Sequence, residues 1–492
     1  MLIAPLPKQV IALKRSASTD HFAYFMDQGT GKTYVCLADA ERLCIEQRIS
    51  LLVVVAPNGV HRNWIERESP KLLSHPYTTL LWSNKQTKKY QAEVTKFIND
   101  PGTHLRIFAV NVEAFQRNKS RAEILVINML KRHKALMAVD ESSTIKTPSA
   151  QRTKNIIKIG RHAAIRRVLT GTPVTTGPLN FYAQANFLGK GLLGFTDFAS
   201  YKGYYAEWRE RTILDKSPTA KPGDTRTFKE LVRYKNMDEL KRRVDSFSYT
   251  VTKEECPELG LLPKKFTERA VVLGDTQRDY YDECKRQLIM EIAEDSKMTM
   301  AHAFTKIIRL RQILGGFVKG DTDDEATPIP GPNAKIEAML TYLEDMNPDY
   351  KVIVWAAFVP ELRLIADTLG RENCACYWGE VSSNDRNTNI DRFMNDPSCR
   401  YFIGNPKVGK YGFTLTIAHE VLYYSNDYSA EARWQSEDRT HRIGQKMEVN
   451  YTDLIVLDSI DTKMASVLKD RKSMADVFKG DKSALVRWLS EN

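Results

Sequence analysis

One glycine-bearing turn constrains the fold of this chain more than any other feature. Met26-Asp27-Gln28-Gly29-Thr30-Gly31-Lys32-Thr33 stands between an apolar run, Phe22-Ala23-Tyr24-Phe25, and a helical stretch. Strand, loop and helix in that order let backbone N–H groups wrap phosphates, and the helix N-terminus adds its positive dipole end. Gly29, Thr30 and Gly31 are expected to form that cradle. Lys32 is expected to hold the β- and γ-phosphates of ATP, and Thr33 to offer its hydroxyl to Mg2+. The strict pattern has glycine where this chain has Met26. A chance Gly-Lys-Thr in a turn is the bland alternative, and the flanking strand and helix count against it.

The rest of the chain repeats the strand-then-helix rhythm. Leu51 to Val55, Leu105 to Val110, Ala135 to Val139 and Val168-Leu169 are short apolar runs separated by helical lengths. The pattern returns at Val352 to Trp355, Cys374 to Tyr377, Tyr401 to Ile403, Val421 to Tyr424 and Leu454 to Leu457. Such runs indicate parallel sheets with helices on both faces. The spacing predicts an α/β chain with two units: lobe one over 1–189 and lobe two over 251–465. A helical insertion is expected over 190–250, with an exposed turn-prone piece from Ser217 to Asp224. A mobile loop is expected near 320–332, and a C-terminal helical segment over 466–492.

Composition excludes several classes. The apolar fraction of 42% over 492 residues suits folded domains, and the longest tight apolar run, near Leu51 to Pro57, is far too short to span a bilayer. Seven scattered cysteines argue against a disulfide framework, and Cys374 and Cys376 have poor zinc spacing. No signal peptide opens the sequence. A reduced, intracellular protein without a metal cluster is expected. The formal net charge is +11. Between Glu141 and Asp197 no acidic residue occurs, while Lys146, Arg152, Lys154, Lys158, Arg161, Arg166, Arg167 and Lys190 do. A one-sign stretch of this kind suits phosphate backbones, against the alternative of a merely solvated basic face.

Two further motifs carry chemistry. Ala138-Val139-Asp140-Glu141 ends a buried-type strand with paired carboxylates. Asp140 is expected to bind Mg2+, often through water, and Glu141 to polarise the attacking water. Gln435-Ser436-Glu437-Asp438-Arg439-Thr440-His441-Arg442-Ile443-Gly444-Gln445 carries two arginines at i and i+3. On a helix both face one side. Across an inter-lobe cleft they would stabilise charge on a transferring phosphoryl group. A surface pair bonded to local acids such as Asp438 is the competing reading.

These residues resemble helicase superfamily two, and within it the sucrose-non-fermenting (Snf) type of DNA-translocating ATPases, over nearly the whole chain. Leu6-Pro7-Lys8-Gln9 looks like the family's adenine-reading segment, which assigns Gln9 to the nucleotide. Val55-Ala56-Pro57 with Asn63-Trp64, and Asp140-Glu141-Ser142-Ser143 with Ile145-Lys146, resemble its next motifs. Leu169-Thr170-Gly171-Thr172-Pro173 is similar to the motif that couples hydrolysis to lobe movement, so Thr170, Gly171 and Thr172 are coupling candidates. Leu310-Arg311-Gln312-Ile313 and Val352 to Trp355 resemble lobe-two motifs. Gly409-Lys410-Tyr411-Gly412-Phe413-Thr414-Leu415-Thr416 matches a loop placed near DNA and ATP, with Gly412 toward the nucleotide. The long final motif, with Gln435 as a coupling residue, is the most discriminating. The chain departs from the family at Met26-Asp27-Gln28, at Lys410 and Thr414, and at Ser425 to Ser429, which lacks the usual Trp-Asn-Pro. An arginine pair that often precedes Thr-Lys is missing before Thr252-Lys253.

The resemblance implies two RecA-like lobes in tandem, ATP and Mg2+ as cofactors, and an ATP hydrolase moving along duplex DNA without reading sequence. Lys146, Arg152 and Lys154 are the expected lobe-one DNA contacts; Lys407, Lys410 and Thr414 are those of lobe two. Other readings are a strand-separating or fork-remodelling helicase, the motor of a restriction-type system, a slow-cycling ATP-gated clamp, and an RNA-directed motor. No membrane partner is expected. A minimal bacterial, archaeal or viral member is expected, acting in the cytoplasm or nucleoid.

Overall fold

Apolar strands buried on both faces set the architecture. The computed structural model describes residues 1–174, 177–214, 225–294, 300–319, 326–409, 413–427, 429–469, 486 and 488–490. The chain forms two compact units, Met1–Gly260 and Leu261–Asn492. The sequence reading had set its boundary ten residues earlier, at 250/251.

The first unit holds a seven-stranded sheet. Its strands are β1 (His21–Met26), β2 (Leu51–Ala56), β3 (Tyr77–Leu81), β4 (Leu105–Asn111), β5 (Ala135–Asp140), β6 (Ile165–Leu169) and, after a hairpin of β7 (Ala206–Leu214) and β8 (Thr225–Tyr234), β9 (Ser248–Val251). The order is β3-β4-β2-β5-β6-β1-β9, and every pairing is parallel. Every residue of β2 and β5 is buried. Alternate residues serve two cores: Met137 and Val139 pack on one face, Leu136 and Ala138 on the other. Helix α1 (Pro7–Ala17) precedes β1, and α2 (Lys32–Ile45) follows it.

The second unit holds a six-stranded sheet. Its strands are β10 (Lys264–Val271), β13 (Val352–Trp355), β14 (Cys374–Tyr377), β15 (Tyr401–Gly404), β16 (Glu420–Tyr423) and β17 (Val449–Val456). The order is β10-β17-β16-β13-β15-β14, again all parallel. The expected pair of parallel-sheet lobes is therefore present. Within these two sheets, three strands are not expected from sequence. The edge strand β10, Lys-Lys-Phe-Thr-Glu-Arg-Ala-Val, is mostly solvent-facing and charged. The edge strand β3 is only partly buried, and β9 has four residues.

The stretch read as a helical insertion does carry helices, Phe198–Tyr205 and Met237–Asp245. Between them β7 (Ala206–Leu214) and β8 (Thr225–Tyr234) form an antiparallel hairpin. Charges interleaved with β-formers hid its period. Those charges pair across the strands, Arg233 with Glu207 at 2.6 Å and Arg211 with Glu230 at 3.4 Å. The turn-prone piece at Ser217–Asp224 lies outside the described residues, as do residues 320–325 of the expected mobile loop. Just beyond them, β12 (Thr327–Pro328) pairs with β11 (Phe317–Val318). The helix Ile460–Lys469 crosses the expected start of the C-terminal segment, and residues 470–485 lie outside the described residues. All seven cysteines are free thiols. Among the described residues no group of His, Cys, Asp or Glu is arranged to hold a metal by itself, and no helix is long and apolar enough to cross a membrane.

The basic stretch after Glu141 is not all surface charge. Arg167 is 1% exposed and donates to Asp39 Oδ2 at 2.9 Å and to the Thr19 carbonyl at 3.0 Å. Asp39 also accepts from Arg42 at 2.8 Å and from the Tyr24 hydroxyl at 3.2 Å. Arg166 bonds the Phe187 carbonyl, and Lys158 pairs with Glu123. Removing one member of a buried pair leaves an uncompensated charge. Asp39→Ala is therefore expected to destabilise the first unit by about 3–5 kcal/mol in denaturant titration; an unchanged midpoint would show that the pair adds nothing.

Candidate functional site

In the first unit, parallel register brings three strand ends to one edge. Tyr24 pairs with Leu169, and Asp140 pairs with the same Leu169. The loop after Met26, the Asp140-Glu141 pair and Thr170 therefore issue side by side, the usual location of ligand chemistry in a parallel sheet.

The phosphate-loop backbone has the curvature that the sequence required. Gly29 and Gly31 take positive φ, 85° and 93°. The Thr30 hydroxyl donates to the Asp27 carbonyl at 2.8 Å and pins the loop. Gln9 closes it from the other side: Nε2 donates to the Thr30 carbonyl at 3.1 Å, and Oε1 accepts from the Leu6 N–H at 3.0 Å. A Cβ on Gly31 would lie 2.2 Å from Gln9 Nε2. Lys32 and Thr33 open α2; Lys32 is buried and donates to the Met26 carbonyl at 2.8 Å.

Asp140 is the last residue of β5 and is buried. Its Oδ2 accepts from the Trp64 indole N–H at 2.9 Å, and its Oδ1 accepts from the Glu141 backbone N–H at 2.9 Å. Burial pushes the Asp140 carboxyl up. The indole, the Lys32 charge and the Glu141 amide pull the other way, and the net direction is upward. Glu141 sits in the left-handed region at φ 47°. This bend at the strand end lets the adjacent carboxylate turn into the same edge. The Thr170 hydroxyl lies 3.4 Å from Glu141 Oε2 and also accepts the Thr172 N–H at 3.1 Å.

Gly171 permits the close approach of this last loop. A Cβ there would meet Gln28 N at 3.2 Å and the Met26 carbonyl at 3.3 Å. Gln184, on the helix Phe181–Leu188, has no counterpart in the sequence reading. Its amide accepts from Ser142 Oγ at 2.6 Å and donates to the Pro173 carbonyl at 2.8 Å, joining the acidic loop to the Thr170–Pro173 loop. Among the expected nucleic-acid contacts, Lys146 follows the short turn Ser142–Ile145. Arg152 and Lys154 lie in the first turn of the helix Gln151–Gly160, with Lys154 exposed and Arg152 half-buried.

In the second unit Arg439 and Arg442 are not on a helix, contrary to expectation. The helix Ala430–Glu437 ends just before them. Its last turn tightens, with Arg439 N–H bonded to the Ser436 carbonyl and Thr440 N–H to that of Glu437. The Arg439 carbonyl then accepts from Leu415 N–H at 2.8 Å instead of continuing the helical ladder. The two guanidinium groups still converge: both donate to the Phe413 carbonyl, at 3.1 Å and 3.4 Å. Thr414 is thus adjacent to the shared acceptor. Gln435 is buried and donates to Glu431 at 3.0 Å, and its Oε1 has no partner among the described residues. Lys407 is exposed and pairs with Asp427 at 2.8 Å. Lys410 and Gly412 lie outside the described residues.

Two groups missed from sequence hold this segment. Gln445 donates to the Ala418 carbonyl at 2.8 Å, tying the end of the motif to the preceding loop. Arg433 forms a two-pronged pair with Asp453, at 2.5 Å and 2.9 Å, and bonds Glu437 at 2.9 Å. Its position six residues before Arg439 in the motif-bearing helix was the available signal.

A family model described as the SNF2-related domain matches residues 24–315, and one described as the helicase conserved C-terminal domain matches residues 334–444. An uncharacterized ATP-dependent helicase of Mycoplasma genitalium is 25% identical over 361 residues, 73% of this chain and 32% of that protein. Protein CHROMATIN REMODELING 24 of Arabidopsis thaliana is 23% identical over 471 residues, 89% of this chain and 42% of that protein. This chain therefore spans well under half the length of these relatives. The solved Sulfolobus solfataricus SWI2/SNF2 ATPase core in complex with dsDNA is 20% identical, with 100% of this chain and 97% of that chain covered and a TM-score of 0.40.

The loop geometry makes a direct prediction. Gly31→Ala places a side chain in the left-handed region against Gln9, and is expected to cost about 1–2 kcal/mol from the backbone alone. Thermal unfolding of the variant checks this; wild-type stability would show that the loop relaxes freely.

Proposed function

The chain belongs to the family of the SNF2-related domain, and from that premise we propose that it is a DNA-dependent ATPase that converts ATP hydrolysis into movement along duplex DNA. The observation that carries this reading is the single sheet edge in the first unit. There the phosphate loop, Lys32, Asp140, Glu141 and Thr170 stand together on adjacent parallel strands.

Each group has a task that its surroundings suit. The Gly29–Gly31 backbone and Lys32 bind the β- and γ-phosphates. The Thr33 hydroxyl and the Asp140 carboxylate are hard oxygen donors, the set that Mg2+ prefers, so these residues fit the ion. When bound, Mg2+ neutralises charge on the phosphates. Glu141 orients the attacking water. Thr170 touches Glu141, so a movement of the Thr170–Pro173 loop alters the base directly. Gln9 supports the loop from beneath and is the candidate for reading adenine. Arg439 and Arg442 supply positive charge to the transferring phosphoryl group, with Gln435 and Gly412 as their neighbours in the motif and loop of the second unit.

DNA is held by backbone contacts, with Lys146, Arg152 and Lys154 from one unit and Lys407, Lys410 and Thr414 from the other. Phosphate contacts of this kind release counterions, so binding falls steeply with salt. A DNA substrate supports an intracellular site of action, the cytoplasm or nucleoid for a prokaryotic or viral-host member.

ATP turnover measured with and without duplex DNA tests the proposal. Strong stimulation at low salt that fades as salt rises is expected; no stimulation at low salt would sink it. Triplex displacement without strand separation is the expected signature of translocation. Lys32→Ala is expected to abolish turnover with the fold intact by thermal melting. Arg442→Ala is expected to lower kcat by roughly 10³–10⁵-fold; near-normal turnover would remove the arginine from the reaction.

A further inference from the structure

The Trp64 indole is fully buried, at 1% exposure, and its one polar atom meets the carboxylate assigned to Mg2+. Trp64 begins a single wide helical turn, Trp64–Glu68, set between the short helices Val60–Asn63 and Ser69–Leu72. Wide turns of this type add a residue within a helix and are frequent at functional sites. The turn is fastened at its first residue: the Trp64 carbonyl accepts both the Ser69 N–H and the Ser69 hydroxyl, the latter at 2.6 Å. The ring packs in the same core as Ala56, Ala109 and Ala138. It therefore has little freedom to turn away.

A phenyl ring would fill most of this volume without burying a donor. The indole N–H is accommodated because Asp140 Oδ2 accepts it at 2.9 Å. The other oxygen, Oδ1, accepts the Glu141 N–H. Each oxygen thus receives one donor in these two bonds, and a carboxylate oxygen can accept more than one. The carboxylate plane is fixed while acceptor capacity remains on both atoms. Hydrogen bonds that orient a ligating carboxylate in this manner raise metal affinity.

We propose that Trp64 is a positioning residue for metal binding, holding the Asp140 carboxylate in the orientation that receives Mg2+ with the bound nucleotide. Trp64 itself touches neither nucleotide nor metal. The inference rests on the ATPase reading above and adds to it a residue outside the phosphate loop and the acidic pair.

The test is binding of a non-hydrolysable ATP analogue to the full chain, with Mg2+ and with EDTA. Wild type is expected to gain affinity with Mg2+. Trp64→Phe is expected to lose roughly 10–100-fold in Mg2+ affinity, while its affinity for the analogue in EDTA is unchanged. The Mg2+ concentration for half-maximal ATP turnover is expected to rise by the same factor. Trp64→His, which keeps a ring N–H, is expected to recover part of the loss. Wild-type Mg2+ dependence in Trp64→Phe would overturn the inference and leave the ATPase reading standing. Absence of any Mg2+-dependent binding in the wild type would sink the ATPase reading and the inference together. If Trp64→Phe does not fold, the indole N–H resonance of Trp64 in the wild type decides. A shift with Mg2+ and analogue that Asp140→Asn abolishes supports the role, and an unmoved resonance overturns it.

Discussion

Parallel pairing in register is the constraint on which the first unit depends. Leu169 is the register partner of both Tyr24 and Asp140, so β1, β5 and β6 finish at one edge. Once all strands run the same way and both faces are buried, the loops at that edge are where polar side chains can gather without entering a core. The phosphate loop, the acidic pair and the Thr170 loop need no sequence proximity. They are 29 residues apart or more, yet Thr170 reaches Glu141 at 3.4 Å. A one-residue slip in β5 would turn Asp140 to the opposite face and dismantle the edge.

Buried polar groups then fix what the sheet only approximates. Asp140, Asp39 and Gln9 each sit below the surface; the two carboxylates accept from donors on distant segments, and Gln9 donates to the distant Thr30 carbonyl. A buried polar group without partners is costly, so each such contact also specifies a unique arrangement. Arg167 illustrates the coupling. It lies on β6 two residues before Leu169, reaches Asp39 on α2, and donates to the Ser16 carbonyl in the last turn of α1 at 3.4 Å and to the Thr19 carbonyl just past it. The three elements that carry Gln9, Lys32 and Thr170 are thereby cross-linked beneath the edge where they act.

Much of this was legible in sequence because fully buried parallel strands are near-continuous apolar runs. Leu51 to Ala56 and Ala135 to Asp140 announce themselves. Strands with a solvent face do not: β10 reads as a charged segment and the β7–β8 hairpin as charged and aromatic filler. The residues gathered at the strand-end edge of the first unit were legible as motifs. Their mutual supports were not: Trp64 was visible as a motif residue but its bond to Asp140 was not, and Gln184 left no signal, since both act through long-range contacts without a local period. The basic stretch after Glu141 shows the converse error of reading. Charge counting cannot tell Arg167, which is internal, from Lys154, which is exposed.

In the final motif the two arginines meet by a route other than the expected helix face. Arginines three apart suggest a helix face, but the helix stops at Glu437. Beyond it the ladder tightens, Leu415 N–H takes the Arg439 carbonyl, and further on the chain turns through Gly444 at φ 101°. The convergence of the arginines comes instead from a common acceptor, the Phe413 carbonyl. That acceptor belongs to the loop holding Thr414, and Gln445 anchors the same loop through the Thr416 and Ala418 carbonyls. Arginine segment and loop therefore form one hydrogen-bonded body. A displacement of the loop at Thr414 is transmitted to both guanidinium groups through the bonds at Phe413 and Leu415.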